Sequence, residues 1–228
     1  MFVPLHDGLP VRFVRAPFVT RGLIALCVLA FVPIALGLLP MNSTWIYAGL
    51  GLIPSVLFGT EALPDGLPFV PAPLTLVTSL FLHATWLHLI GNMLFLWVFG
   101  DNVEDAMGHG RFLLFYVLCG IGACLAHALL APDSVHPLVG ASGAIAGVVA
   151  AYVMLYPRVR LWGLFLKGIP LRVRASWAIT FWVLFQVGAA FFGGDEGVGW
   201  FAHLGGLAVG AVLVLVLRRP GVPLFARA

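Results

Sequence analysis

The stretch that decides the fold is residues 140–156, GASGAIAGVVAAYVMLY, a run of small and apolar residues that contains no charge. Near its start one small hydroxyl, that of Ser142, stands between Gly140-Ala141 and Gly143. About 20 apolar residues cross the hydrocarbon core of a bilayer. The stretch therefore predicts a membrane-spanning helix over residues 138–156 with a polar group close to its beginning.

The composition extends this membrane assignment to the whole chain. Of the 228 residues, 61% are hydrophobic and only 9% are charged, whereas a soluble domain carries about a quarter charged residues. Six apolar runs are long enough to be spans; they lie at about residues 18–40, 79–100, 110–131, 138–156, 175–193 and 198–218. Residues 45–59 are also apolar, but this run is short and broken by Pro54, as in an interfacial or re-entrant piece. We therefore expect an all-α, polytopic membrane protein with a bundle of six transmembrane helices.

The distribution of charge predicts how these spans are oriented. The 12 Lys and Arg residues fall before or in the first turn of span one, in the first turn of span three, between spans four and five, or at the end of span six and after it. The alternate loops, 41–78, 132–137 and 194–197, contain acidic residues but no Lys or Arg. By the positive-inside rule, both termini are expected in the cytoplasm and the start of span four on the exoplasmic side. The net charge of +3 then reflects membrane orientation. No basic run is interleaved with aromatic residues as nucleic-acid binding would require.

A single domain is expected. Residues 18–218 would form the six-helix domain, while 1–17 and 219–228 would be short cytoplasmic tails, since neither is long enough to fold alone. The three cysteines lie within predicted spans and have no metal-ligand spacing, so we expect them to be small packing residues.

Polar side chains inside a bilayer are costly and therefore indicate function. The predicted spans contain a short set of ionisable and amide groups together with one serine: His83, His88, Asn92, His127, Ser142, Gln186 and His203. At a rise of about 1.5 Å per residue, all of these except His127 and Gln186 fall in the outer half of spans two, four and six. Five polar groups from three helices would thus converge at one depth. His127 and Gln186 are expected to be structural.

Ser142 and His203 are the candidate reacting pair. A serine hydroxyl becomes a nucleophile when an adjacent base takes its proton, and a neutral imidazole can do so near pH 7. Gly143-x-x-x-Gly147 follows the serine and Gly206-x-x-x-Gly210 follows the histidine. Because small residues at this spacing let membrane helices approach closely, spans four and six are expected to bring the two side chains within hydrogen-bond reach.

An oxyanion formed by attack on an amide needs preorganised hydrogen-bond donors. The sequence offers the side-chain amide of Asn92, a ring N–H of His88 and the backbone N–H of Ser142. His88 and Asn92 are four residues apart and share one face of span two. His83, five residues before His88, is expected near the helix mouth and to point away from that face.

No carboxylate is placed to complete a triad. Asp101, Glu104 and Asp105 follow span two at its cytoplasmic end, and Asp195-Glu196 lie in a loop. We therefore expect a Ser–His dyad.

Together these motifs resemble those of the rhomboid intramembrane serine proteases, and the resemblance covers nearly the whole chain. His83-x4-His88-x3-Asn92 resembles the family's span-two pattern. Gly140-Ala141-Ser142-Gly143 is similar to its Gly-x-Ser-Gly nucleophile motif, and Ala202-His203-x-x-Gly206-x-x-x-Gly210 to its span-six base motif. The joint set, in this order and on these spans, is specific to that family.

The resemblance implies a role for each of these residues. Ser142 would be the nucleophile and His203 the general base, with His88, Asn92 and the Ser142 backbone N–H as the oxyanion hole. The supporting residues would be His83, Gly140, Gly143, Gly206 and Gly210. The implied activity is that of a serine endopeptidase that cleaves transmembrane segments of membrane proteins near their exoplasmic ends. It would need no metal or other cofactor and bind no nucleic acid, and it would act in the lipid bilayer of the bacterial inner membrane.

The resemblance also implies architecture. Residues 41–78 would be a long first loop lying partly in the outer leaflet, and spans two and five would admit substrate laterally. Two positions depart from the family pattern. Leu74-Thr75 stands where some members have a Trp-Arg pair, and Ala146 stands where many have an aromatic residue stacked on the base.

Three other classes of protein make different predictions about the sequence. A rhomboid-like protein that binds membrane clients without cutting them would typically lack the serine or the histidine, and this chain has both. A small transporter or channel with a histidine proton relay predicts acidic partners in the spans and repeat symmetry. An intramembrane metalloprotease requires H-E-x-x-H on one helix, a sequence that does not occur in this chain.

Overall fold

The computed structural model of the chain describes residues 2–67, 69–165, 168–192 and 199–226, and it is mostly helical. In chain order the elements are β1 (Phe2–His6), α1 (Phe18–Ala35), α2 (Ser43–Leu50), α3 (Pro54–Leu57), α4 (Thr75–Thr78), α5 (Trp86–Met107), α6 (His109–Leu130), α7 (Ser142–Leu155), β2 (Arg160–Phe165), β3 (Ile169–Arg174), α8 (Ala175–Phe192) and α9 (Trp200–Leu217). Single 3-10 turns at Ala72–Leu74 and Ser79–Phe81 flank α4. Lys167, the acidic loop 194–197 with Asp195 and Glu196, and Arg227 lie outside the described residues.

A helix lies over each of the six predicted spans. Among the described residues, three of these helices, α1, α6 and α9, are long and apolar enough to cross a membrane. The segment Ala72–Phe81 and α5 make a fourth if they are taken as one span with an 81° bend. The apolar helices Ser142–Leu155 and Ala175–Ala189 are shorter. The chain is therefore a multi-pass membrane protein, and six crossings stay a prediction.

The central helix of the bundle is α7. Residues 143–152 are all buried, and α5, α6, α8 and α9 all contact the helix. Its 14 residues span about 21 Å, which is less than the hydrocarbon thickness of about 30 Å. A helix surrounded by other helices has no lipid face to fill, so α7 can be short. The first residues of the predicted span, 138–141, are not helical.

The first loop contacts the chain segments that directly precede α5 and α7. Over the apolar run 45–59, which the sequence predicts to be an interfacial or re-entrant piece, it contains α2 and α3, which have 8 and 4 residues. Leu52 and Leu138 exchange backbone hydrogen bonds of 3.0 and 2.7 Å, which ties the loop to the segment before α7. The Tyr47 hydroxyl donates to the carbonyl of His83 at 2.8 Å and so fixes the segment before α5.

The prediction of an all-α fold is wrong at the end of the bundle where the chain termini lie. Strands β1, β2 and β3 form an antiparallel sheet in that order, with Pro4 opposite Gly163 and Leu161 opposite Val173. Leu161 is buried beneath the sheet. Strands of five or six residues carry only a short alternation signal. Their pairing also needs a strand from the distant N-terminus, which no local pattern indicates.

Two buried carboxylates at the end of α5 anchor the N-terminal segment. Glu104 accepts hydrogen bonds from the backbone N–H of Val19 and Thr20, at 3.0 and 2.8 Å, and from the Thr20 hydroxyl at 2.7 Å. Asp105 accepts from the three backbone N–H groups of residues 12–14 at 2.6–2.9 Å. Since the first N–H groups of a helix have no partner within it, Glu104 supplies the cap for α1. The helix α5 continues through these residues to Met107.

Removing the Glu104 carboxylate should destabilise the bundle. In Glu104→Ala, the two backbone donors and the hydroxyl would be left without their acceptor, at a cost of about 1–3 kcal/mol in the free energy of unfolding. The thermal unfolding midpoint in detergent measures this change. Glu61→Ala, at an exposed site in the first loop, is the matched control and should leave the midpoint unchanged. Equal midpoints for the two variants would contradict the anchoring role.

Candidate active site

Ser142 is the first residue of α7 and follows a sharply turned segment. Gly140 has φ +131°, a conformation that residues with a side chain rarely adopt. Its N–H donates to the Ser79 carbonyl at 2.9 Å, and Ala141 behind it is fully buried. This turn places the serine hydroxyl at the mouth of the helix.

His203 lies in the first turn of α9 and faces the serine. Its backbone N–H donates to the Gly199 carbonyl at 3.1 Å. Its ring nitrogen Nε2 is 2.8 Å from Ser142 Oγ, a hydrogen-bond distance. The structure therefore brings together the two residues that the sequence proposes as nucleophile and base.

The short Ser–His distance depends on backbone contact between α7 and α9. A Cβ added to Gly206 would lie 1.9 Å from the Gly143 carbonyl oxygen, and one added to Gly210 would lie 2.4 Å from Gly147 Cα. No side chain larger than hydrogen fits between the helices at these points. The two glycine pairs of the sequence motifs thus face each other across one contact.

His88 and Asn92 lie on α5 and face the chain just before Ser142. A Cβ added to Gly140 would lie 2.7 Å from His88 Nε2 and 3.8 Å from Asn92 Nδ2. Both side-chain nitrogens therefore point at the Gly140 backbone. Asn92 is buried, and its Nδ2 donor has no hydrogen-bond partner among the described residues. An unused donor beside the serine can serve a developing negative charge.

His83 is placed differently from the sequence expectation. The helix α5 begins only at Trp86, where the Thr85 side chain accepts a hydrogen bond from the His88 N–H at 3.1 Å. His83 therefore lies in the extended segment before the helix and is fully buried. Its ring packs edge-on against that of His88, with centroids 5.1 Å apart. The His83 ring thereby packs against the His88 ring and helps to fix its position.

Sequence reasoning missed the contact of Gln186 with His203. Gln186 lies on α8, is only 3% exposed, and has its Nε2 atom 2.9 Å from His203 Nδ1. The indole of Trp200 meets the imidazole edge-on, with centroids 6.0 Å apart, and that of Trp182 lies 6.3 Å away. The rotation of α8 against α9 decides this contact. The only sequence signal was an amide in an apolar span.

Ala146 does not support the base in this protein. Ala146 is fully buried. It faces α9, since a Cβ added to Gly206 would lie 3.4 Å from the Ala146 Cβ. Its methyl group lies at the contact between the two helices. The support of His203 comes instead from α8 and from the beginning of α9.

These side chains share one cavity of about 310 Å³. Its polar lining residues are His88, Asn92, Ser142, Gln186 and His203. The walls come from Leu87 and Phe95 on α5 and from Trp182 and Phe185 on α8. Leu87 and Phe185 are largely exposed at the bundle surface. The cavity thus joins a serine hydroxyl, an imidazole within hydrogen-bond distance of it and further hydrogen-bond donors beside the α5 and α8 walls.

The family model described as the rhomboid domain matches residues 72–220, which contain α5 to α9 and every side chain of the cavity. The chain belongs to the rhomboid family.

Rhomboid relatives come from bacteria and from plant and fungal organelles. The chain is 34% identical to Rhomboid-like protein 11, chloroplastic, of Arabidopsis thaliana over 65% of its own length and 54% of the relative. It is 32% identical to Rhomboid protease GluP of Bacillus subtilis (strain 168) over 67% of its length and 27% of the relative. For Rhomboid protein 1, mitochondrial, of Saccharomyces cerevisiae (strain ATCC 204508 / S288c), the identity is 29%, over 63% of the chain and 42% of the relative. The chain therefore spans about a quarter to a half of the length of these relatives.

The glycine contact can be tested by adding one methyl group. In Gly206→Ala the new Cβ would lie 1.9 Å from the Gly143 carbonyl oxygen, so α9 must move away from α7. We expect a loss of about 1–3 kcal/mol or more in the free energy of unfolding, together with loss of serine reactivity toward a fluorophosphonate.

Gly188→Ala on α8 is the matched control for this substitution, because nothing lies within 4 Å of its added Cβ. It should be neutral or stabilising by up to about 1 kcal/mol, through helix propensity. If Gly206→Ala behaved like Gly188→Ala, backbone contact would not be what sets the Ser–His distance.

Proposed function

We propose that this rhomboid is an intramembrane serine endopeptidase that cleaves transmembrane segments of membrane proteins. The observation that carries the proposal is the 2.8 Å contact between His203 Nε2 and Ser142 Oγ inside a cavity of an apolar bundle. A serine becomes reactive when a base is held at this distance. The similarity to a relative named as a rhomboid protease supports the same activity.

In the first half of the reaction, His203 acts as the general base. Nε2 accepts the Ser142 proton as Oγ attacks the carbonyl carbon of the scissile peptide bond. The tetrahedral intermediate collapses when the imidazolium gives its proton to the leaving amine. The C–N bond breaks, and the carbonyl carbon stays bound to Ser142 as an acyl ester.

In the second half, water takes the place of the amine. His203 accepts a proton from water while the water oxygen attacks the ester carbon. The imidazolium then gives that proton to Ser142 Oγ as the ester bond breaks. The products are a carboxylate end and an amine end of the substrate. The serine and the histidine finish in their starting protonation states.

The oxyanion of each intermediate would be held where α5 faces the start of α7. The Asn92 amide and the His88 ring converge on the Gly140 backbone, two residues before the nucleophile. The backbone N–H of Ser142 belongs to the first turn of α7, whose N-terminal N–H groups favour negative charge. Donors fixed in advance are worth most in a site with little water.

The walls of the cavity suggest how a transmembrane substrate reaches the serine. Leu87 on α5 is 80% exposed and Phe185 on α8 is 57% exposed, so both sides of the site present apolar surface to lipid. An apolar substrate helix could approach laterally between these walls without leaving the bilayer. A stretched, unpaired segment of its backbone would then lie against Ser142.

The proposed location is a bacterial inner membrane, with both termini in the cytoplasm and the site toward the exoplasmic side. The support is the charge pattern. Arginines cluster at the end of the bundle that carries the sheet and both termini, whereas Glu61, Asp65 and Asp133 belong to the loops at the Ser142 end.

Substitution of Ser142 tests the nucleophile directly. Purified wild type in detergent should cleave a reporter transmembrane substrate and bind a fluorophosphonate covalently, and chelators should have no effect. Ser142→Ala should lose both activities, while Ser43→Ala, at an exposed position of the first loop, keeps both. Cleavage retained by Ser142→Ala would contradict the role of Ser142 as the nucleophile. Substrate binding by wild type without any cleavage would favour the client-binding alternative.

Asn92 tests the oxyanion hole, because an isosteric change reverses its polarity. Asn92→Ala should lower kcat by about 10²–10³-fold with little change in KM, as for a typical oxyanion donor. Asn92→Asp keeps the size and, when its carboxyl is ionised, replaces the donor by an acceptor, so at high pH it should lose at least as much. Cleavage rates with the reporter substrate measure both effects. A wild-type kcat in Asn92→Ala would remove Asn92 from this role.

A further inference from the structure

On the far side of the candidate base, the described residues place one polar neighbour in the cavity, Gln186. Gln186 Nε2 lies 2.9 Å from His203 Nδ1, and the amide is buried within the bundle. Its carbonyl oxygen Oε1 has no hydrogen-bond partner among the described residues. Among the described residues, no Asp or Glu lines the cavity. Gln186 is therefore the group positioned to determine which ring nitrogen of His203 carries the proton.

The two orientations of the Gln186 amide correspond to two tautomers of His203. With Nε2 of the amide toward the ring, its N–H donates to Nδ1, so the imidazole carries its proton on Nε2. That tautomer donates to Ser142 and cannot accept its proton. With Oε1 toward the ring, the amide accepts from Nδ1–H, and the ring nitrogen facing Ser142 has a free lone pair.

The second orientation also fits the protonated form of the base. An imidazolium donates from both ring nitrogens, so Oε1 can accept from Nδ1 before and after proton transfer. The amide N–H cannot face a protonated Nδ1 without placing two donors against each other. A rotation of 180° about the last side-chain bond exchanges Oε1 and Nε2 and moves no other atom.

We propose that Gln186 is a positioning residue for the catalytic base: its carbonyl oxygen accepts the Nδ1 proton of His203 and holds the imidazole in the tautomer that can deprotonate Ser142. This proposal rests on the proposed function. Gln186 takes the orienting place that a carboxylate occupies in a Ser-His-Asp triad. Inside a bilayer a neutral amide avoids the cost of burying a charge.

The aromatic neighbours leave this task to Gln186. Trp200 and Trp182 restrict the tilt of the His203 ring, since their ring centroids lie 6.0 and 6.3 Å from its own. Neither indole offers an acceptor, since its only polar atom is an N–H donor. They can hold the ring in place, but they cannot select its tautomer.

The kinetic test separates positioning from packing. Gln186→Met keeps the length of the side chain and removes the acceptor, so kcat should fall about ten- to hundredfold, with KM within about threefold of wild type. Gln186→Glu restores an acceptor oxygen and should recover most of the lost kcat. Leu184→Met, two residues before Gln186 on the exposed face of α8, is the control and should behave as wild type.

A spectroscopic test reads the tautomer without turnover. Protein labelled with ¹⁵N-histidine gives ring resonances that differ between protonated and unprotonated nitrogens, and His203 is assigned by its loss in His203→Ala. Wild type should carry its proton on Nδ1. In Gln186→Met the Nε2–H form should appear. A wild-type ring protonated on Nε2, or an unchanged spectrum in Gln186→Met, would overturn the proposal.

The outcomes also separate this proposal from the proposed function. If wild type cleaves, Ser142→Ala does not, and Gln186→Met keeps full kcat, the endopeptidase stands and the positioning role fails. If wild type is inert toward substrate and fluorophosphonate, the endopeptidase fails, while the ¹⁵N spectrum still decides the hydrogen bond. Loss of kcat in both Gln186→Met and Gln186→Glu, with an unchanged tautomer, would assign Gln186 to packing and contradict the proposal.

Discussion

The contact between the backbones of α7 and α9 is the constraint on which the rest of the site depends. Gly206 and Gly210 approach Gly143 and Gly147 so closely that a Cβ added to Gly206 or Gly210 would overlap a backbone atom of α7. In a bilayer, helices associate through close packing and interhelical hydrogen bonds, because lipid is as apolar as their side chains. Glycine at the interface therefore does two things: it holds the helices together, and it brings the His203 ring within 2.8 Å of Ser142.

The polar side chains of the cavity and the buried carboxylates that bind the N-terminal segment lie at opposite ends of the bundle. At one end, buried carboxylates of α5 satisfy the backbone donors of the N-terminal segment and of α1. At the other end, imidazole, amide and hydroxyl side chains line the cavity, and no Asp or Glu is among its lining residues in the part of the chain that the structure describes. Such a site suits an apolar environment, since hydrogen bonds among neutral groups avoid the cost of an unpaired buried charge.

The parts of the site that the sequence predicted are those governed by local geometry. His88 and Asn92 share a face because they are four residues apart on one helix, and small residues every fourth position predict close helix contact. The parts that it did not predict are relations between distant segments. The sheet needs β1 to reach β2 across more than a hundred residues, His83 leaves the helix because Thr85 begins it, and Gln186 meets His203 only through the rotation of α8.

The sequence by itself determined that the chain is a membrane protein, which residues could react, and which helices could approach closely, because composition and helical periodicity are properties of each segment alone. The tertiary structure decided which group lies behind the base. A span can place an amide in the bilayer, but its direction depends on how that helix is turned against its neighbours. Packing of the whole bundle sets that angle, and it places Gln186 within hydrogen-bond distance of His203 Nδ1.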